Sequence, residues 1–256
     1  MIAEQLGTVG SALLTLNLVA VALAISRYQK LDLEKDIGIA VVRSFIQLTA
    51  IGFVISLIFS LKNPTYMMLL LAGMVLFASW TSSRRGKGIT RAFTVSAVGI
   101  GIAATATLGV LLALQIVPPT ARYLIPLGGM VIGNSMNTAS LILSRIRDDV
   151  NAQRLNIEAA LALGATSRQA ISPILKISLK SAMIPLIDAT KTTGIIFLPG
   201  AMVGMIIAGA DPLEAVRLQV VLYMLLGSVS IAAIVVGLLS YRSFFTPRHQ
   251  LRTPAE

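Results

Sequence analysis

The chain contains no cysteine and only one histidine, His249. The lack of cysteine excludes disulfides, thiolate metal sites, iron–sulfur clusters and cysteine nucleophiles. His249 lies in the polar C-terminal tail, where a lone histidine is typical of a solvated surface. A histidine-rich metal site within this chain is therefore excluded.

Charged and aromatic residues are also scarce, at 12% and 5% of the chain. Soluble domains carry roughly 25% charged residues. Here 55% of residues are hydrophobic, the mean hydropathy is +0.83, and several apolar runs reach the roughly 20 residues that cross a bilayer. We therefore predict an all-α, polytopic membrane helix bundle that forms a single domain over residues 1–256, with about seven transmembrane helices.

The net charge of +10 does not indicate nucleic-acid binding. The basic residues cluster between apolar runs, as the positive-inside rule describes, and the few aromatic residues offer no platform for stacking bases. The predicted partners are therefore membrane lipid and other proteins.

The predicted spans are 6–26, 37–59, 66–82, 90–116, 124–143, 183–209 and 215–241. The first span could instead be a signal peptide, since it contains Ala22-x-Ala24. However, Glu4 stands where a basic segment is expected and the apolar stretch is too long, so we predict that this span is retained.

Basic residues fall almost entirely in alternate connections, which predicts an N-terminus outside the cell and a C-terminus in the cytoplasm of a bacterial plasma membrane. The opposite connections hold only Lys62 and Arg122. The predicted cytoplasmic set comprises Arg27, Lys30, Lys35, Arg84, Arg85, Lys87, Arg91, Arg145, Arg147, Arg154, Arg168, Lys176, Lys180, Arg242, Arg248 and Arg252.

The largest predicted cytoplasmic segment is 144–181, which reads as two short helices, and the tail 242–256 is also cytoplasmic. In its first helix, Val150, Ile157 and Leu161 follow helical spacing and indicate an apolar stripe. Gly164 can close this helix in the left-handed conformation, and Thr166 with Gln169 matches a capping box for the next.

The stretch 158–166 favours a coupling helix, which would dock on a soluble ATPase subunit. Glu158 offers a charge-assisted hydrogen bond, and small residues allow close approach. An ordinary amphipathic surface helix between two spans is the alternative. The predicted ATPase-coupling residues are Glu158, Ala159, Ala160, Gly164 and Ala165.

The chain lacks a phosphate-binding loop of its own. Its only Gly-Lys pair, Gly86-Lys87, is followed by Gly88 and lacks the remaining residues of that pattern. The energy for transport must therefore come from a partner ATPase or from an ion gradient, and we expect no catalytic residues in this chain.

Charged and amide side chains within predicted spans are costly and tend to face a solute pathway or a partner. Each predicted pair shares a helix face because its members are three or four residues apart. Snorkelling of Arg43, an Asp188–Lys191 structural pair, and helix packing by the asparagines are the alternatives. The candidate pathway residues are Arg43, Gln47, Asn134, Asn137, Asp188 and Lys191.

Pro199-Gly200 falls inside the sixth predicted span. A Pro-Gly pair at membrane depth interrupts helical hydrogen bonding, which predicts a kink or a discontinuous helix. Such a break is favoured beside a substrate path, although a passive kink is the alternative.

Three stretches together resemble the FetB/YbbM-type ABC permease family, the membrane subunits of an iron exporter. They are Gly128–Asn137, Glu158–Thr166, and Leu198–Gly204 continued by Ala208–Val216. Plant aluminium-tolerance membrane proteins look like relatives, and UDP-glucose is the cargo suggested for those. The resemblance implies a permease that homodimerises and pairs with two copies of a separate ATPase, which would bind ATP and Mg²⁺ and bring the only cofactor.

The resemblance also implies a docking motif of the importer type, with Glu158, Ala159, Ala160 and Gly164 in place. Ile174 fits that motif as well, but its Leu-Pro ending is absent because Lys176 follows Leu175. The implied docking geometry therefore covers the first half of the motif.

The preferred function is an ABC transporter permease that exports a solute, with iron implied by the resemblance alone. Asp188 is the only acidic side chain deep in a predicted span, whereas iron(II) prefers imidazole or several carboxylates. Arg43 and Lys191 would suit an anion better. A proton-coupled secondary transporter using Asp188, and a membrane anchor that recruits a cytosolic ATPase, are the alternatives.

Overall fold

A computed structural model of the chain describes residues 17–61, 63–196, 198–220, 223–246 and 250–251. The start of the first predicted span and Arg248, His249 and Arg252 therefore lie outside the described residues. The chain divides into two compact units, 1–62 and 63–256. The α-helices are α1 (Asn17–Tyr28), α2 (Glu34–Leu61), α3 (Pro64–Ser83), α4 (Ala92–Ala113), α5 (Ala121–Ala152), α6 (Arg154–Ala162), α7 (Ser167–Thr192), α8 (Gly200–Ile207), α9 (Pro212–Val220) and α10 (Met224–Ser240).

The first unit consists of α1 and α2, joined by a short connection. The Ser26 hydroxyl donates to Glu34 Oε1 at 2.8 Å and accepts from the Leu33 amide at 3.2 Å. The large apolar side chains of α2 are exposed, with Phe45 at 73% and Phe53 at 74%. Such a surface is typical of a helix that meets lipid or another protein chain.

The second unit is a bundle built around α5, which packs against α3, α4, α7 and α10. Two glycines allow the closest approaches, since a Cβ at Gly99 would collide with Val236 and one at Gly128 with Leu71. The core lies along this axis and includes fully buried Ile142 of the central helix. Helix packing in lipid favours small residues at such crossings.

Five helices of the described chain are long and apolar enough to span a membrane: Glu34–Ile58 within α2, α3, α4, α7, and Met224–Phe244, which continues α10 into a 3-10 helix. The predicted multi-pass helical architecture is confirmed. The predicted span 124–143 is not among the five, although it lies in the 32-residue α5. The face of α5 that carries Leu124, Val131 and Ile142 packs against the bundle, while Asn137 on the other side is exposed.

The prediction of two short helices within 144–181 is wrong for the second helix. The segment 167–181 is the first part of α7, which runs on for 26 residues to Thr192 and passes through Pro173 and Pro185. The first predicted helix is also divided, because Val150 belongs to α5 and Ile157 to α6. Only residues 153–166 of this segment therefore lie outside the long helices α5 and α7, fewer than the sequence indicates.

The sixth predicted span is not one continuous helix. Helix α7 ends at Thr192. Helix α8 begins at Gly200, directly after Pro199, and has only eight residues. A helix of that length is roughly 12 Å long, well short of the roughly 30 Å of bilayer hydrocarbon. Within the described residues, α8 packs chiefly against α9.

Candidate functional site

The short helix α6 presents one face to the outside of the second unit. Its exposed side chains follow the three- and four-residue spacing of a single helix face, so they form one continuous surface. Ile157 points the other way and is 1% exposed. Asn156 is exposed too, at the border of the cavity between α6 and α7. We call the other exposed residues of the helix and its C-cap the α6 face, which consists of Leu155, Glu158, Ala159, Ala162 and Leu163.

The two leucines of the α6 face were not identified from the sequence. Leu155 is 79% exposed and Leu163 is 89% exposed, and they flank the glutamate and the alanines at the two ends of the helix. The signal was their spacing, since Leu155 is three residues before Glu158 and Leu163 is four after Ala159, and residues three or four apart share a helix face. A small-residue centre with apolar ends is a surface suited to a shallow groove on a partner.

The α6 face keeps its orientation because both ends of the joint to α7 are capped. Gly164 has φ +90°, and the amides of Gly164 and Ala165 donate to the carbonyls of Leu161 and Ala160, both at 3.0 Å. This is a Schellman motif, and it confirms the prediction that Gly164 closes the helix.

The capping box at the start of α7 is also confirmed. The backbone N–H of Gln169 donates to Thr166 Oγ1 at 3.3 Å, and the backbone N–H of Thr166 donates to Gln169 Oε1 at 2.8 Å. These bonds satisfy amides that the first helical turn leaves without partners. The joint between the two helices is therefore fixed by local chemistry on both sides.

Glu158 is held by an ion pair within its own helix. Its Oε1 lies 2.9 Å from Arg154 Nε, and 44% of its side chain remains exposed. A carboxylate that keeps part of its surface open can still accept a hydrogen bond from a partner. The pair therefore positions the charge rather than burying it.

Two of the predicted coupling residues lie on the inner side of the joint. Ala160 and Ala165 are half-buried and line a cavity of about 240 Å³ between α6 and α7. Ile157 and Ile174 line the same cavity. These alanines thus contact the space between the helices, whereas Ala159 belongs to the exposed face.

A partly buried hydrogen bond that the sequence does not reveal connects α7 to α5. Ser178 is fully buried and donates from Oγ to Asp149 Oδ2 at 2.8 Å. The two residues are 29 positions apart, so no local pattern could have linked them. This bond connects the helix before the α6 face to the helix after it.

Arg43 and Gln47 lie on one side of α2, as their spacing predicts. Together with Gly38, Ile39 and Val42, they line a cavity of about 430 Å³ in the first unit. Both side chains are exposed. A guanidinium and an amide on an otherwise apolar wall could contact an anionic or polar solute.

Asn134 and Asn137 lie on α5 with different surroundings. Asn134 Nδ2 donates to the Met130 carbonyl at 2.8 Å, so this side-chain amide is hydrogen-bonded within its own helix. Asn137 is exposed, and a Cβ at the neighbouring Gly133 would meet nothing within 4 Å. Within the described second unit, this polar part of α5 is therefore not covered by another helix.

Asp188 and Lys191 lie in the last two turns of α7, not near the start of a helix, because α7 begins at Ser167. Lys191 Nζ is 3.7 Å from Asp188 Oδ1, and both side chains are mostly exposed. The helix ends one residue later, and Lys191 near its C-terminus suits the partial negative charge there. The pair thus stands beside the non-helical connection that leads to Pro199 and Gly200.

Within the described ranges, no group of three or more histidine, cysteine, aspartate or glutamate side chains is arranged to hold a metal ion.

The sequence matches known proteins along nearly its whole length. The family described as "Uncharacterised protein family (UPF0014)" matches residues 9–245. "UPF0014 membrane protein STAR2" of Oryza sativa is 42% identical over 234 residues, 91% of this chain and 82% of that protein. "Protein ALUMINUM SENSITIVE 3" of Arabidopsis thaliana is 41% identical over 239 residues, 93% of this chain and 88% of that one.

A bacterial relative carries a more specific name. "Probable iron export permease protein FetB" of Escherichia coli is 38% identical over 242 residues, which is 94% of this chain and 93% of that protein. No solved structure shows a significant match to the chain.

Proposed function

The chain belongs to the UPF0014 membrane protein family, and from that premise we propose that it is the permease subunit of an ABC transporter. A separate cytosolic ATPase, which binds ATP and Mg²⁺, would supply the energy. Two copies of the permease would assemble with two copies of that ATPase.

The observation that carries this proposal is the α6 face. It offers a partly exposed carboxylate at Glu158 among small side chains, on a helix whose joint to α7 is capped at both ends. A rigid joint matters because a partner that pushes on α6 would move α7 with it, rather than bending the connection. Helix-in-groove docking is a common way to transmit such a movement.

The C-terminal end of α7 carries a charged pair that such a movement would displace. Asp188 and Lys191 stand there, directly before the helix interruption that ends at Pro199. Interrupted helices in transporters place charged groups and free backbone groups around a solute. We therefore propose that the ATPase contact and the solute pathway lie at opposite ends of one helix.

Export of a solute is the proposed direction, and iron is the first cargo to test because the E. coli relative is named a probable iron export permease. Arg43 and Lys191 suit an anionic or complexed form of the cargo better than a bare cation. The proposed orientation has the α6 face in the cytoplasm, as the distribution of basic residues predicts.

The proposal is tested by isolating the tagged full-length chain from its native membrane and identifying any ATPase that copurifies. Glu158→Arg reverses the charge on the α6 face, and Gly164→Leu strains the left-handed residue that closes α6, so both should lose most of the ATPase. Glu214→Arg makes the same charge change on α9 and should retain it.

Unchanged copurification in both α6 variants, with normal membrane insertion, would contradict the coupling role. ATPase assays of the isolated complex with iron species and with UDP-sugars then identify the cargo. Transport that continues after ATP depletion while a proton gradient persists would favour the proton-coupled alternative.

A further inference from the structure

Five basic side chains are exposed at one end of α3 and α10. Four follow the last turn of α3, and the fifth belongs to the 3-10 helix Tyr241–Phe244 that continues α10. We call this set the basic patch, and it consists of Arg84, Arg85, Lys87, Arg91 and Arg242.

The backbone beneath the basic patch is packed and tied together. Ser243 Oγ donates to the Thr90 carbonyl at 3.1 Å, which joins the 3-10 helix to the α3–α4 connection. Ile89 is buried at 6% exposure, and a Cβ at Gly86 would lie 3.0 Å from the Cβ of Ala92. The basic side chains are therefore displayed by an ordered surface, not by a free loop.

Trp80 marks the position of this surface along α3. It lies in the last turn of that helix and is 41% exposed, and its ring stands 5.8 Å from that of Phe77. Arg84 Cζ lies 3.9 Å from the centre of the Trp80 ring, within cation–π distance. Tryptophan at the end of a membrane helix is typical of the bilayer–water interface, with its ring at headgroup level.

The basic patch has no acidic residue within its own two segments and no ion-pair partner among the described residues. The segments 80–91 and 240–246 contain no aspartate or glutamate, and within the described ranges none of the five side chains forms an ion pair. Guanidinium groups bind phosphate through two parallel hydrogen bonds. Exposed positive charge at headgroup depth attracts anionic lipids by about 1 kcal/mol for each lysine or arginine.

We propose that the basic patch binds the phosphate groups of anionic phospholipids in the leaflet that it faces, with Trp80 held beside the bound headgroup by Arg84. The site stands on residues outside the α6 face and does not depend on the proposed transport function. Bound lipid would anchor the ends of α3 and α10 to the membrane surface.

Trp80 is the only tryptophan in the chain, so its emission reports on this site directly. The purified full-length protein in detergent is titrated with short-chain phosphatidylglycerol, with phosphatidylcholine of the same chain length, and with inorganic phosphate. Native mass spectrometry counts the lipid molecules retained. Of the three ligands, we expect only phosphatidylglycerol to change the Trp80 emission and to remain bound. Added salt should weaken both effects.

The variant Arg85→Gln with Lys87→Gln removes two charges and leaves Arg84 beside the reporter. Its apparent affinity for phosphatidylglycerol should fall by roughly 25-fold, about fivefold per charge. The matched control is Lys176→Gln with Lys180→Gln, which removes two exposed charges from α7 and should change the affinity little.

Three results would overturn the proposal. An equal loss in the α7 control would mean that net charge, and not the basic patch, attracts the lipid. An equal response to phosphatidylcholine or to inorganic phosphate would mean that no anionic-lipid site exists here. Unchanged emission together with no retained phosphatidylglycerol would have the same meaning.

Discussion

Two joints that follow short helices in the second unit share one geometry and differ in their surroundings. In both, a glycine with φ +90° follows the first helix: Gly164 after α6 and Gly209 after α8. In both, the next residue's amide returns to a carbonyl five positions back, from Ala165 to Ala160 and from Ala210 to Met205, each at 3.0 Å.

The start of the following helix is capped in each joint as well. The Thr166 side chain accepts a hydrogen bond from the backbone N–H of Gln169 at the start of α7. Asp211 Oδ1 accepts one from the backbone N–H of Leu213, at 2.8 Å, at the start of α9. The turn chemistry is therefore the same, and it specifies the local shape without specifying the role.

The surroundings separate the two joints. The first is anchored by Ile157, which is 1% exposed, and it presents Glu158 and alanines outward. The second exposes Ile207 at 81% and Leu213 at 73% and packs chiefly on itself within the described residues. Both joints expose acidic and apolar side chains, so their attachment to the bundle is what separates them. A partner that pushes on the anchored joint can move the bundle, whereas a joint that packs chiefly on itself transmits less of that movement.

The largest effect is expected from removing the bond that anchors the first joint. Ser178→Ala leaves Asp149 without its buried donor, and a hydrogen bond to a charged group contributes about 1.5–3 kcal/mol. The midpoint of thermal unfolding in detergent should fall clearly. Ser144→Ala removes a hydroxyl 3.3 Å from exposed Asp148 and serves as the control, with almost no change expected. Equal midpoints for the two variants would show that the first joint is not anchored through α5.

A smaller effect is expected from removing the cap in either joint. Thr166→Ala and Asp211→Ala should each reduce the unfolding free energy by about 1 kcal/mol, because each leaves first-turn amides without a side-chain acceptor. The comparison is sharpened by measuring ATPase copurification in the same samples. We expect Thr166→Ala to weaken it and Asp211→Ala to leave it intact. Loss in both would indicate that the two joints act together.

The smallest effect on stability is expected at the far end of α7. Asp188 and Lys191 are mostly exposed, and ion pairs of this kind contribute about 0–1 kcal/mol. Asp188→Asn and Lys191→Met should therefore unfold like the unmodified protein while transporting less. If the two side chains act as a pair, the double variant should transport better than either single variant. Additive losses would indicate separate roles, and a large drop in unfolding midpoint would make the pair structural.

Local signals accounted for the parts of the molecule that depend on a few neighbouring residues. Gly164 and the Thr166–Gln169 capping box could be predicted because helix ends are set by the residues that cap them. The helices long and apolar enough to span a membrane could be predicted from composition, as α2 and α4 illustrate.

The parts that failed depend on contacts between distant segments. The Ser178–Asp149 bond joins residues that no periodicity connects. The continuity of α7 from Ser167 to Thr192 was missed because the basic residues Lys176 and Lys180 placed the start of the predicted span at 183, whereas packing against α5 and α10 supports one helix here.

The central claim is that α7 transmits a movement from the α6 face to the helix interruption near Pro199. The chain has no cysteine, so Ile195→Cys, at a position 88% exposed within the interruption, accepts a single environment-sensitive label. The labelled protein, isolated with the proposed ATPase, should change its emission when a non-hydrolysable ATP analogue is added. Measured per complex that retains the ATPase, that change should disappear in a Gly164→Leu background and persist with Gly209→Leu. The account would be contradicted if the emission of the label did not change on adding the nucleotide, or if it changed equally in the Gly164→Leu variant.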